Sequence, residues 1–330
     1  MDSAARLPEL DQIPQDKSQT KDVKRKAISS PYFHRLQRKH FLMFDVLPVL
    51  GVILAGIMAF YIPVSGVDIG LFIAFWALTG IGVSVGYHRY FTHRSFKARP
   101  AVAVALTILG SMAGQGALLS WVAMHRRHHE LSDQPGDPHS PNLQGPGFKG
   151  LIKGLVHSHF TWMKEHDYPN VAYYAPDLIR DPLIAKTARH YYTWVILGLV
   201  APAILGGLLS QSLWGVVSGF LWGGAVRMFV VGHIIWSINS LLHRFGTRPY
   251  QSRDHSRNGG LFGLFTFGES WHNNHHAFPE SPSFGLQWAA FDPGYWFIRG
   301  LSLVGLTWDL RVPTVQRRTS RKKRNVQTQQ

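Results

Sequence analysis

The chain has 330 residues, 45% of them hydrophobic and 13% aromatic, with a formal net charge of +15 and an isoelectric point near 10.2. That length accommodates one or two domains with a sizeable core, and the charge leaves nucleic acid, anionic lipid and phosphate-bearing substrates open as partners until the charges are located. There is no cysteine, which excludes disulfides, thiolate catalysis and Cys-ligated zinc or iron–sulfur sites, so any metal must be held by nitrogen and oxygen.

Residues 1–41 are polar and carry Lys17, Lys21, Lys24, Arg25, Lys26, Arg35, Arg38 and Lys39. They read as a basic cytoplasmic arm that reaches the membrane at its end. Residues 46–64 and 69–87 then contain no charged side chain, and each run is about long enough to cross a bilayer core. The link between them, Ser65 to Asp68, has no Lys or Arg, whereas both flanks are basic. The spacing and charge predict a transmembrane hairpin with its tip outside and His88 on the cytoplasmic side.

Residues 101–122 are apolar but too short to cross twice, which is what a shared site on one side would need. They are expected to lie in the interface or to dip in and return, with Gly110, Gly114 and Gly116 as flexible points. A turn-rich cytoplasmic loop follows, from Asp133 through Pro135-Gly136-Asp137 to Gly147. His157 and His159 beside Trp162 read as packed or surface residues, with His159 the better candidate ligand of the two. A second hairpin is predicted at 191–210 and 213–236, containing Arg227 and ending in Asn239 and His243, an i, i+4 pair. The basic tail, 311–330, suits anionic headgroups. Every basic cluster thereby falls on one predicted side, which accounts for +15 without nucleic acid.

Three histidine clusters lie on that same side: His88 and His93, then His125, His128 and His129, then His272, His275 and His276. The second and third are spaced i, i+3, i+4, so on a helix their rings project from one face. His88 and His93 are five apart, so the helix is expected to end between them or one ring to reach back. With His243 the count is nine, more than one zinc ion takes, and two metals are implied. Imidazole suits Fe, Zn, Cu or Ni, so ligand type alone does not name the metal. Glu130, Asp133, Glu269, Asn239 and Asn274 are candidates to accept the second ring N–H or to bind a metal-bound water.

These motifs, His88-Arg-Tyr-Phe-Thr-His93, His125-Arg-Arg-His128-His129, Asn239-Ser-Leu-Leu-His243 and Glu269-Ser-Trp-His272-Asn-Asn-His275-His276, resemble the integral-membrane fatty acid desaturases, in particular the bacterial acyl-CoA Δ9 (stearoyl-CoA type) branch, over roughly residues 40–310. The resemblance implies an all-α integral membrane fold of four transmembrane helices in two hairpins, with a cytoplasmic helical cap over a di-iron site. It implies all nine histidines as iron ligands, Asn239 as a water-linked neighbour and Trp121 beside the acyl tunnel. It implies O2-dependent formation of a cis double bond in an acyl-CoA, two Fe ions, for which Zn substitutes in purified samples, and a bacterial inner-membrane location with both termini cytoplasmic. Two departures weaken the acyl-CoA assignment. Ala123 stands where animal acyl-CoA desaturases carry a head-group Arg, and the loop from Pro135 to Phe160 is longer, so a phospholipid-bound chain remains an alternative carrier. No His-Pro-Gly-Gly haem motif occurs, so a separate ferredoxin- or flavoprotein-type donor is expected. The competing readings are a di-iron hydroxylase or alkane monooxygenase and, from another class, a membrane zinc hydrolase.

Overall fold

The computed structural model describes residues 25–164, 166–287 and 290–323; Lys17, Lys21, Lys24 and the tail from Arg324 lie outside the described residues. Four helices are long and apolar enough to cross a membrane: α1 (Pro31–Ala59), α2 (Gly66–Thr92), α7 (Tyr191–Ser210) and α8 (Leu213–Leu241). Between the two hairpins come α3 (Pro100–Met112), α4 (Leu118–Leu131), α5 (Gly147–His159) and α6 (Pro182–Arg189). After them come α9 (His272–Ala277), α10 (Pro293–Leu303) and α11 (Val315–Arg321). Among the described residues the named strands form two-residue antiparallel ladders only, Ala27–Ile28 with Tyr168–Pro169 and Lys97–Ala98 with Thr307–Trp308.

The four spans are not equivalent. In their apolar 18-residue stretches, 50% and 56% of the residues of α2 and α8 are buried, against 28% in each of α1 and α7. The outer pair therefore presents Leu50, Ile53, Ile57, Ile196, Ile204 and Leu208 outward as a lipid-facing surface. The inner pair delivers histidines, since His88 lies in the last turns of α2 and His243 follows α8. Hairpin tips are built locally. Ser65 and Asp68 form a capping box at the start of α2, and Gln211 closes α7 in the left-handed region at φ 50° before Ser212 caps α8.

α1 begins at Pro31, fifteen residues before the predicted span, because Ser30 caps it and the basic stretch 31–40 is helical too. The single interfacial helix expected at 101–122 is instead two helices. α3 ends at Met112, and Gly114 and Gly116, at φ +74° and +103°, turn the chain into α4. Thirteen residues span about 20 Å, too short for a crossing. Gly110 is not a flexible point. It is helical, and a Cβ there would meet the Tyr87 ring at 2.4 Å, so it lets α3 lie against the end of α2.

Three of the spans contain π-helical turns, at Phe41–Val46, Gly82–Thr92 and Phe220–Val226. The fourth, α7, contains Pro202, which cannot bond the Gly198 carbonyl. Arg227 resolves that defect and another. Fully buried, it donates to the Gly198 carbonyl (2.6 Å), to Met112 at the open end of α3 (2.8 Å) and to Gly223 in the π turn (3.1 Å). Its side chain faces the protein interior and binds three helix carbonyls, those of Gly198 and Met112 being ones that Pro202 and the helix end leave open.

Candidate metal centre

Each histidine box is aimed by a different device. In α2 the π turn matters most, because the His93 N–H donates to the His88 carbonyl five residues back (3.2 Å). One π turn thus separates the two residues and their rings lie 5.0 Å apart. The helix does end between them, at Thr92. The second box sits on α4 and the third on α9, a six-residue helix whose histidines are all buried.

These elements gather the nine histidines into two groups: His88, His93, His125, His129 and His275, and His128, His243, His272 and His276. Within each group the donor atoms all lie within 4.8 Å of one another. No single box makes a site: the second gives His125 and His129 to one group and His128 to the other, and the third is divided likewise. The Nε2 atoms of His88 and His275 are 3.0 Å apart, those of His275 and His129 2.9 Å, and those of His243 and His272 3.0 Å. With metal–nitrogen bonds of about 2.1 Å, neighbouring ligands of a six-coordinate ion sit about 3.0 Å apart. His93 Nε2, His128 Nε2 and His276 Nε2 are buried and without a hydrogen-bond partner, which a metal would supply.

Carboxylates fix the rings from behind. Nδ1 of His88 meets Glu269 at 2.5 Å, His243 meets Asp133 at 2.8 Å, His128 meets Asp137 at 3.0 Å and His276 meets Asp254 at 2.5 Å. A carboxylate at Nδ1 keeps the proton there and leaves Nε2 bare toward the centre. Glu269 is itself held by Ser84 (2.5 Å) and lies near the buried Arg89, which pairs with Asp292 at 2.9 Å. Burial holds the rings of His93, His125, His129, His272 and His275 well below the usual imidazole range, with neighbouring histidines adding to the effect. Burial likewise lowers His276 to about 4 against the pull of Asp254. At His128 burial works the same way, but the charge and hydrogen bond of Asp137 outweigh it and its pKa is raised. Burial opposes ionisation of Asp133, Asp137 and Asp254 too, yet their histidine partners hold all three well below the usual carboxylate range. Neutral donors in front and anions behind suit a cation.

Asp133 and Glu269 stand where expected, but Glu130 does not: it faces Lys26 and Tyr174. His159 is also outside both groups, paired with His233 at 2.9 Å and Ser240 at 3.1 Å. Asn274 bonds Asn258 and the Phe284 carbonyl. Asp137 and Asp254 were missed. The only hint was a second Asp four residues after Asp133, across a Pro-Gly turn beside a histidine box. The loop read as mere connection is a shell for the centre, with Asp133 also accepting from Ser140, Asn142 and the His255 N–H.

Two cavities meet beside the first group. One, of about 440 Å³, opens past Phe33, Leu36, Arg189 and Tyr192; the other, of about 60 Å³, is lined by Trp76, Val83 and Phe267. Both are lined by Trp121, His125, Ile235 and Asn239. Trp121 stacks on His125 with centroids 5.0 Å apart. Gln115, in the wider cavity, accepts from Trp236 at 2.9 Å while its Nε2 has no partner.

The sequence model of the family described as fatty acid desaturase matches residues 63–300. A hex-5-enoyl-[acyl-carrier protein] acetylenase of Moorena producens is 53% identical over 90% of this chain and 93% of its own. An sn-1 stearoyl-lipid 9-desaturase of Synechocystis is 37% identical over 74% of this chain and 72% of its own. An acyl-CoA C20 Delta5-desaturase of Anemone leveillei is 32% identical, covering 73% of each chain.

Proposed function

Because the chain belongs to the fatty acid desaturase family, we propose that it removes hydrogen from two adjacent carbons of a fatty acyl chain at a di-iron centre held by the nine histidines, using O2 and two electrons from a separate donor protein. The observation that carries this is the pair of all-imidazole groups backed by carboxylates, set where two apolar cavities join. Five donors in the first group exceed the four of tetrahedral zinc, which favours a six-coordinate ion such as iron, with zinc as a substitute in purified samples. When bound, the two irons would supply the redox chemistry that reduces O2 and takes hydrogen from an unactivated chain.

The rest is work for the protein's own side chains. Apolar walls of Val83, Val231, Ile234 and Ile238 exclude water from the chain, and Trp121, flat on His125, presses it against the centre. Asn239 reaches both cavities and is the side chain suited to hold a water at the second group. Gln115 is suited to donate its free Nε2 hydrogens to the acyl carbonyl.

For the carrier and position, the first reading is the Δ9 acyl-CoA reaction implied by the motifs, which the 9-desaturases among the relatives support for position but not for carrier. A second reading has a specific observation behind it. The narrower cavity, of about 60 Å³, has room for about four to six methylene-sized groups, which favours oxidation near the methyl end of a shorter chain, including a chain borne by acyl carrier protein. We further propose residues 42–310 as the membrane domain, with 1–41 and 311–330 as basic cytoplasmic segments. Placing the site and both termini on the cytoplasmic face of a bacterial inner membrane rests on the absence of Lys and Arg from both hairpin tips.

The test is expression in a host lacking its own desaturase, with mass spectrometry locating the new unsaturation and its carrier. The desaturase reading requires a double or triple bond with no oxygen added; a hydroxylated product would sink it. Metal analysis showing a single zinc per chain would do the same to the di-iron centre.

A further inference from the structure

On another flank of the metal centre lies a third cavity, of about 590 Å³, that shares no lining residue with the two acyl cavities. His93, His129 and His276 line it together with Arg126, Arg253 and Arg321. His93 and His129 are the two of the nine histidines that are not fully buried, and both face this cleft. The centre therefore has an acyl side, lined by His88, His125 and His272, and a separate solvent-open side.

That open side is cationic. Its two carboxylates are engaged, Asp254 with His276 Nδ1 and Glu280 with Arg317. Arg126 is paired with Asp177, but Arg321 binds the Ala277 carbonyl, and exposed Arg253 has no carboxylate against it among the described residues. Arg318, Lys322 and Lys323 continue the positive charge on the same C-terminal segment.

We propose that this cleft is the docking site of an acidic one-electron carrier protein, whose negative rim meets Arg253 and Arg321 while its redox group lies over His93 and His129. The inference rests on the desaturase reading. In that reaction R–CH2–CH2–R′ + O2 + 2 e⁻ + 2 H⁺ gives R–CH=CH–R′ + 2 H2O, so the carrier is oxidised twice per turnover, one electron each time. Electrons have to arrive while the acyl chain fills the other side, and two disjoint cavities permit both at once. A charged, open, modest surface is also what transient redox encounters use, with complementarity setting the on-rate more than the lifetime.

The test uses the full-length enzyme in detergent and a plant-type [2Fe–2S] ferredoxin as the acidic probe. Its affinity is measured at low and high salt for the wild type, Arg253→Glu and Arg253→Lys. Charge reversal is expected to weaken binding by about tenfold or more at low salt and to flatten the salt dependence, with Arg253→Lys near the wild type. Turnover of Arg253→Glu driven by dithionite through a small mediator should match the wild type. Unchanged ferredoxin affinity in Arg253→Glu overturns the docking site, and so does an equal loss of dithionite-driven turnover, which would assign Arg253 to the fold. Failure of the wild type to make unsaturated product with dithionite would instead strike the desaturase reading, separately from the binding result.

Discussion

At the scale of single residues, the ligand shell is a pairing of imidazoles with carboxylates, and each partner has its own signature when removed. His275→Ala removes a donor from the larger group and is expected to abolish unsaturated product in cells while the protein still accumulates in the membrane; undiminished product would refute its role as a ligand. Asp254→Asn keeps a similar shape at His276 but loses the anion behind it. Metal affinity of the four-histidine group should fall about 10- to 100-fold, so that metal content drops from two toward one per chain in equilibrium dialysis. Six of the nine histidines, those of the second and third boxes, were legible because helical spacing is printed in the sequence, whereas His88, His93 and His243 were placed by the family resemblance. The division of the nine into five and four was not legible, because His125 and His128 sit on one turn yet face different neighbours, and only the packing of α9 and the end of α8 decides which. Asp254 was invisible for the same reason, since it lies 22 residues from the ring it orients.

At the scale of elements, the spans were legible from runs without charge, but their irregularities were not. A π turn has no composition of its own, and the five-residue gap from His88 to His93 was its only trace. Arg227 stood out as a charge in an apolar run, but its role depends on Pro202 and on the end of α3, both far away in sequence. Arg227→Lys preserves the charge and loses the fork that reaches three divergent carbonyls. Leaving one or two of them bare should cost about 1–3 kcal/mol each, visible as a lower thermal midpoint in detergent. Because Pro202 is what frees the Gly198 carbonyl, Pro202→Ala should shrink the penalty of Arg227→Lys in a double-mutant cycle. Strictly additive effects would contradict that account of the arginine.

At the scale of the whole molecule, the same buried groups set how the fold responds to acid. His93, His125, His129, His272 and His275 have folded pKa values well below the 6.5 of a free imidazole, so as pH falls past that point the unfolded chain takes up protons first and stability declines, while His128, raised by Asp137, opposes this in part. The decline continues down to about 4, where His276 titrates in the folded state. Asp133, Asp137 and Asp254 are acids rather than bases but act in the same direction: their stabilisation is present above the 3.8 of a free aspartate and is lost as pH drops through their lower folded values. The metal-free protein should therefore melt at progressively lower temperature between pH 6.5 and 4, and bound metal should push the loss to lower pH; a flat profile would contradict the neutral, buried state of these rings. Cavity shape gives a second check at this scale. Trp76→Ala enlarges the narrower of the two cavities and, on the proposed acyl route, should admit longer chains, read as a shift in product length by mass spectrometry.

The division of the second and third histidine boxes between two groups also constrains how the protein is made. His88 and His93 enter the membrane about 180 residues before His272, His275 and His276 exist, which at ribosomal speed is roughly 10–40 s. Neither group is complete without the third box. That box is braced in turn by the chain's last described helix, through Arg318 on the Leu286 carbonyl and Arg321 on Ala277. Metal loading at these groups would thus be a late event in biogenesis, and a nascent chain stalled before residue 272 would carry six bare imidazoles, open to any cation that arrives first.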